Sequence, residues 1–153
     1  MPMPAANVDG PRVFVKRARG APKRTATFER AVLRTLARAA PHVRGDVTLV
    51  LARDAAVQKL NRRYRGRDAA TDVLSFDLGA GTTPGEPFGD IVVSVDAARR
   101  QARDYDATVG EEITRLIVHG ALHLCGHDHH TRREAARMHA LTRRLLTELR
   151  ADG

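Results

Sequence analysis

Five of the seven histidines in this 153-residue chain fall within positions 119–130. The run reads His119-Gly120-Ala121-Leu122-His123-Leu124-Cys125-Gly126-His127-Asp128-His129-His130. On a helix, residues four apart sit about 6 Å apart along the axis on nearly one face. His119 and His123 can therefore aim two imidazoles at one point, where a nitrogen reaches a metal at about 2.0–2.1 Å. Gly126 stands where such a helix would end, because glycine accepts the left-handed backbone that reverses the chain. That reversal can return His129 to the same face as a third ligand. Three neutral nitrogens with an open fourth position make a catalytic zinc arrangement rather than a closed structural one. Water bound there loses its proton near neutral pH, which supplies a nucleophile or a base. Zinc, one ion per chain, is the cofactor by ligand preference, although nickel or iron suits three imidazoles similarly.

Other groups in the run read differently. His127 lies on the turn between ligands and can support one or face a substrate. Asp128 can orient an imidazole or cap a helix beginning near Thr131. His130 is read as exposed, Cys125 as packing at an apolar helix end, and His42 and His139 as hydrogen-bonded core residues. The spacing H-x3-H-x2-G-x2-H equals that of metzincin peptidases, which carry Glu directly after the first His as general base. Here Gly120 occupies that place, so a metallopeptidase reading lacks its proton-handling group.

Charge narrows the partners. Lys plus Arg total 26 against 18 Asp plus Glu, a net +8, and only Lys16, Lys23 and Lys59 are lysines. Arginine forks suit phosphate oxygens, so a nucleic acid is one reading and an arginine-rich solvated surface the other. The basic stretches at 16–24 and 132–144 carry both readings too. Aromatic residues are 4% with no Trp, so no base-stacking platform is evident. No segment approaches the ~20 apolar residues of a membrane span, and the N-terminus lacks a charged region followed by an apolar one. A lone cysteine forms no internal disulfide, which suits a reducing cytosol.

The elements that must position the histidines follow from periodicity. Val13-Phe14-Val15 predicts a short strand. Phe28, Val32, Leu33, Leu36, Ala37 and Ala40 predict a helix that Pro41 stops. Strands are expected at 47–51, 71–78 and 90–95, with a Gly- and Pro-rich loop over 79–87. Asp54 is expected to cap a helix through Ala55, Val57, Leu60 and Tyr64. Asp96 is expected to start a polar helix to about Tyr105. A largely buried helix is expected over 109–124, and an amphipathic one over 131–150. The sum is one α+β domain over 1–153, with about four strands, about five helices and a loose start at 1–11. The metal site falls at the end of the buried helix; strand order is not readable from these patterns.

The segment HGALHLCGHDH at 119–129 resembles the H-G-x-L-H-L-x-G-[YH]-D-H signature of the bacterial YbeY family, metal-dependent endoribonucleases of rRNA maturation. Leu60-Asn61-Arg62-Arg63-Tyr64-Arg65, then Thr71-Asp72-Val73-Leu74-Ser75-Phe76, and Gly89-Asp90-Ile91-Val92-Val93-Ser94 are similar to further family segments. Together they cover about residues 47–130 in the family's order. The resemblance implies a mixed sheet of about four strands flanked by helices, with zinc held by His119, His123 and His129. It implies Arg65 as an arginine important for activity. It also implies a cytoplasmic enzyme that cleaves single-stranded RNA, matures the 3′ end of 16S rRNA in the small ribosomal subunit and acts in ribosome quality control. Ribosomal proteins or an assembly GTPase are the implied protein partners, and no membrane. Two departures stand out: Asp77 replaces a proline common in relatives, and the 79–87 loop is individual.

Chemistry agrees with that resemblance. Phosphodiester cleavage develops charge on phosphate oxygens, which a metal and a guanidinium stabilise. Arg65 belongs to a run with Lys59, Arg62, Arg63 and Arg67 that meets no acid until Asp68. Such a run is either a solvated helix face or an RNA-binding rim. The expected catalytic groups are Arg65 and His127, with metal-activated water as the attacking species. The base is left open between metal-bound hydroxide, His127 and the substrate phosphate. A competing reading is a non-catalytic ribosome-assembly factor that binds rRNA. In it, zinc only stabilises the helix end, and Cys125 or Asp128 closes the site as a fourth ligand.

Overall fold

A computed structural model of the protein describes residues 9–67 and 71–152. Most of the expected loose start, and Asp68 at the end of the basic run, lie outside the described residues. Among the described residues nine elements follow in order: β1 (Val13–Arg17), α1 (Ala26–Ala39), β2 (Asp46–Ala52), α2 (Asp54–Arg65), β3 (Val73–Asp77), β4 (Pro87–Ser94), α3 (Val95–Asp104), α4 (Val109–Leu124) and α5 (Arg132–Ala151). The strands form one mixed sheet in the order β1-β2-β4-β3. β1, β2 and β4 run parallel, and β3 lies antiparallel against β4 at the edge.

Alternation along the strands divides the core. Val47, Leu49, Leu51, Ile91 and Val93 point to the face covered by α1 and α4, where they join Val32, Leu36, Ile113, Ile117 and Leu122. Leu74, Val92 and Ala52 point to the other face and meet Val57 and Leu60 of α2. A central parallel strand is buried on both faces, which is why β4 carries the continuous run Ile91-Val92-Val93. Helix α4 is apolar on nearly all sides because it touches α1, α3, α5, β3 and β4. Its start is closed by a reciprocal cap. The Thr108 hydroxyl accepts from the Glu111 amide at 3.0 Å, and the Glu111 carboxylate accepts from the Thr108 amide at 2.9 Å.

Two expectations about caps change. Asp54 is the first helical residue of α2, not its cap. Ala52 and Ser94 are register partners at the ends of parallel strands, so α2 and α3 start side by side. The Asp96 carboxylate accepts from the Asp54 amide at 2.8 Å, and Asp54 accepts from the Ser94 hydroxyl at 2.5 Å. Each aspartate thus serves the neighbouring helix start. Both carboxyls are held below their ordinary range, Asp54 first by its bond to Arg100 and Asp96 first by its bond to Arg53. Ser94 rather than Asp96 caps α3, accepting from the Ala97 amide at 3.1 Å. The two histidines read as core residues, His42 and His139, are exposed. One follows the proline that ends α1, and the other lies beside buried Met138 on the outer side of α5.

Candidate metal centre

Helix α4 ends where its sequence says it must. Gly126 takes φ 93°, and the turn closes through His127 N to Leu122 O and Gly126 N to His123 O, each 3.0 Å. This paired bonding of a helix C-terminus around a left-handed glycine sends the chain back past its own last turn. His129 returns to the face that carries His119 and His123. The Nε2 atoms of His119 and His123 stand 3.1 Å apart. Ligand nitrogens of all three rings lie within 4.8 Å of one another. Nitrogens bound tetrahedrally at 2.0–2.1 Å would be about 3.3 Å apart, so the three rings are already gathered to the scale of one ion. They can hold a metal.

The donor chemistry fits as well. Burial, then the charge of His123, pushes His119 down to about 4, while Asp72 pulls the other way. Burial, then the charge of His129, also lowers His123, opposed by Asp128 and the His127 backbone. At neutral pH these two rings keep the lone pairs that a cation needs. Because the folded pKa of His119 lies below the unfolded value, the folded metal-free chain binds fewer protons. Its contribution to stability is whole above about 6.5 and is lost as pH falls through about 4. Urea midpoints of the metal-free protein are expected to drop across that window, and to drop less in His119→Gln. A midpoint unchanged from pH 7 to 4 would contradict this assignment.

The histidines stand in a cleft of about 1000 Å³ between the end of α4, β3 and the end of α2. Arg65 enters it from the end of α2 and Arg67 from just beyond that end, and Asp72, Ser75 and Asp77 from β3 and its approach. Arg65 donates from Nη2 to the Ser75 carbonyl at 3.0 Å, close enough to His123 for its charge to lower that ring. The cleft therefore holds Arg65, the arginine that the family resemblance implies, beside the three imidazoles. It takes only Arg65 and Arg67 from the basic run. Lys59, Arg62 and Arg63 are exposed along α2 and do not line it; Lys59 and Arg62 border a shallower groove with Ala55 and Gln58.

The remaining residues of the run sort themselves. His127 is neither among the three gathered rings nor among the cleft-lining residues; its backbone is what shapes the turn. Asp128 does not cap α5, whose start is held by Thr131 accepting from the Glu134 amide at 3.1 Å. Asp128 instead accepts from the His129 amide and pairs with exposed His130, both at 2.8 Å. Cys125 packs against the core, and burial pushes its thiol up to about 11. Among the described residues, neither Cys125 nor Asp128 joins the three-nitrogen group.

Gly120 explains its own identity. A Cβ built there would lie 2.9 Å from Ile91 Cγ2, 3.1 Å from Ser75 Oγ and 3.1 Å from Val73 Cγ2. The position that carries the peptidase glutamate thus faces the sheet, where α4 and β3 touch and Ser75 donates to the Gly120 carbonyl at 2.8 Å. Gly120→Ala is expected to destabilise the protein by about 1–3 kcal/mol through overpacking, against alanine's better helix propensity. A raised thermal midpoint would show that Ile91 yields freely.

Sequence reasoning passed over Asp72 and Ser75 as site residues. Asp72 accepts from Gln101 Nε2 at 3.3 Å and acts on His119 by its charge. Both residues sit in the Thr71–Phe76 segment, and the alternation of a strand would have turned Ser75 toward the same side as Ile91, its register partner.

Comparison with known proteins adds lineage. A family model described as Endoribonuclease YbeY matches residues 16–150. Proteins named Endoribonuclease YbeY are similar from Myxococcus xanthus (49% identical over 106 residues, 67% of this chain and 36% of that protein). So are those from Anaeromyxobacter sp. (43% over 122 residues, 80% and 62%) and Paramagnetospirillum magneticum (42% over 113 residues, 70% and 69%). This chain spans about a third of the length of the first and about three-fifths of the second. The solution structure of TM1509 from Thermotoga maritima is similar in fold, with a TM-score of 0.58 over 93% of each chain at 22% identity.

Proposed function

This chain belongs to the YbeY endoribonuclease family, and from that premise we propose that it is a zinc-dependent endoribonuclease that hydrolyses single-stranded RNA. The observation that carries this reading is the meeting of the His119, His123 and His129 imidazoles with the Arg65 guanidinium in a single open cleft. In this reading His119, His123 and His129 hold the ion. When bound, such an ion supplies a Lewis acid and acidifies a water to near neutrality.

The chain's own residues do the rest. Arg65, anchored on the Ser75 carbonyl, offers its remaining donors to the non-bridging oxygens of the scissile phosphate. Charge grows on those oxygens as the bond breaks, so a fixed guanidinium favours the transition state over the ground state. Asp72, which also lines the cleft, acts on His119 by its charge, and the Gly126 turn, closed by the His127 backbone, keeps His129 in reach. Arg67 contacts a neighbouring phosphate within the cleft, and Lys59, Arg62 and Arg63 extend the cationic path along α2 for sequence-independent binding. The substrate in this reading is the 3′ end of 16S rRNA, within the small ribosomal subunit of the cytoplasm, in maturation and quality control. Ribosomal proteins or an assembly GTPase accompany it. The whole works as one domain, and no helix among the described residues is long and apolar enough to cross a membrane.

Gly120 argues against the peptidase alternative, since even a Cβ there would crowd Ile91, Ser75 and Val73 where the glutamate would stand. The assembly-factor alternative requires a closed metal site, and among the described residues the gathered ligand set has three members. The test is cleavage of a single-stranded fragment spanning the small-subunit rRNA 3′ end by full-length protein, chelated and then reloaded with zinc. Cutting that disappears with chelation, returns with zinc and spares the same sequence in a duplex is expected. One bound zinc per chain without cutting would favour the assembly factor.

A further inference from the structure

At the opposite end of α4 from the histidines, a second cavity of about 620 Å³ opens beside the first turns of α1 and α4 and the last turns of α5. It falls within the ~300–1,000 Å³ range of sites for small organic molecules. Phe28 and Leu149 are buried in its wall, and Leu146 and Ala107 add further apolar surface.

The charges around it are unevenly committed. Glu111 is used in the reciprocal cap with Thr108. Glu112 is buried and accepts from Arg115 Nε at 2.5 Å. The rim cations are freer. Among the described residues the Arg30 side chain has only the Thr27 hydroxyl, at 3.4 Å, and the Arg150 side chain makes no hydrogen bond or ion pair, although its charge acts on Glu111.

The remaining wall is the turn between α3 and α4. There Asp106 takes φ 53°, the one positive φ outside glycine among the described residues, a conformation non-glycine residues adopt rarely. Tyr105 just before it borders the cavity and is 73% exposed. An aromatic ring left in water beside an apolar hollow, with two guanidiniums on the same rim that form no ion pair among the described residues, is the chemistry that receives an anion with an apolar body.

We propose that this cavity is a second ligand site, specific for a small organic anion whose aromatic or acyl body enters the hollow while its carboxylate or sulfonate meets Arg30 and Arg150. From Thr108 to His119 the helix rises about 17 Å, so an occupant here does not reach the histidines. The site stands independently of the RNA reading.

The probe is 8-anilinonaphthalene-1-sulfonate, titrated into the full chain and followed by fluorescence and by amide shifts in NMR. One saturable site per chain is expected, with shifts concentrated at 105–115 and 146–150. The surface pair Arg30→Glu/Arg150→Glu should weaken binding about tenfold or more with unchanged circular dichroism. Ala107→Trp, which fills the hollow, should abolish it, and N-phenyl-1-naphthylamine, which lacks the sulfonate, should bind about tenfold more weakly. Equal binding by wild type and the arginine pair, or shifts spread over other surfaces, would overturn the proposal. So would a concentration-dependent dimer that occupies the cavity and excludes the probe.

Discussion

His123→Ala will leave the protein folded but empty of metal, and cleavage of single-stranded RNA will fall below about one hundredth of wild type. The magnitude follows from position. Loss of a residue that merely supports a metal ligand costs about 10–100-fold in affinity or activity, and His123 offers one of the three nitrogens gathered among the described residues. The fold should survive, because the site lies on the last turn of α4 and alanine is the best helix former. Removing a half-buried imidazole whose charged form is disfavoured also takes away a group that resists acidification. Metal analysis by mass spectrometry, circular dichroism and RNA cleavage on the same preparation check this together. Full zinc retention by the variant would remove His123 from the ligand set, and full cleavage without zinc would end the metal-dependent reading.

The second large effect is expected at Arg65. Arg65→Ala should lower kcat/KM about 10²–10³-fold, the usual cost of deleting one donor aimed at developing charge, with zinc content unchanged. Its side chain is exposed and donates to the Ser75 carbonyl, so stability should move by no more than about 0.5 kcal/mol. Arg65→Lys separates two roles. A point charge replaces the planar fork, so binding should recover more than turnover does. A fall carried by KM alone would make Arg65 a phosphate anchor only. A variant that unfolds or loses zinc would make it a brace between α2 and β3.

Both predictions rest on a site that was unevenly legible in the chain. The histidine trio could be read because every step to it is local. Four-residue spacing places two rings on one helical face, and one glycine reverses the backbone within three residues of the second. The helices over 109–124 and 131–150 were likewise visible, since an apolar period needs no distant partner. The caps were not. Asp54 looked like the cap of its own helix, yet parallel pairing of β2 with β4 hands that task to Asp96, 42 residues away. Residue type alone points His42 and His139 toward the core, but both are exposed, because exposure depends on which face the assembled layers cover.

The cleft shows the same division. That Arg65 carries a charge and that His119, His123 and His129 can converge are properties of short segments. That they share one cleft follows from β3 crossing antiparallel beside β4, which brings Ser75 under α4 and its carbonyl to Arg65. The same crossing explains Gly120, whose missing side chain is a matter of contact with Ile91 rather than of helix propensity. The amino-acid sequence by itself determined the elements, the ligand types and their local convergence, because these depend on backbone periodicity over a few residues. Only the tertiary structure decided strand order, the membership of the cleft and which basic residues enter it. Those depend on contacts between segments tens of residues apart, which no local spacing encodes.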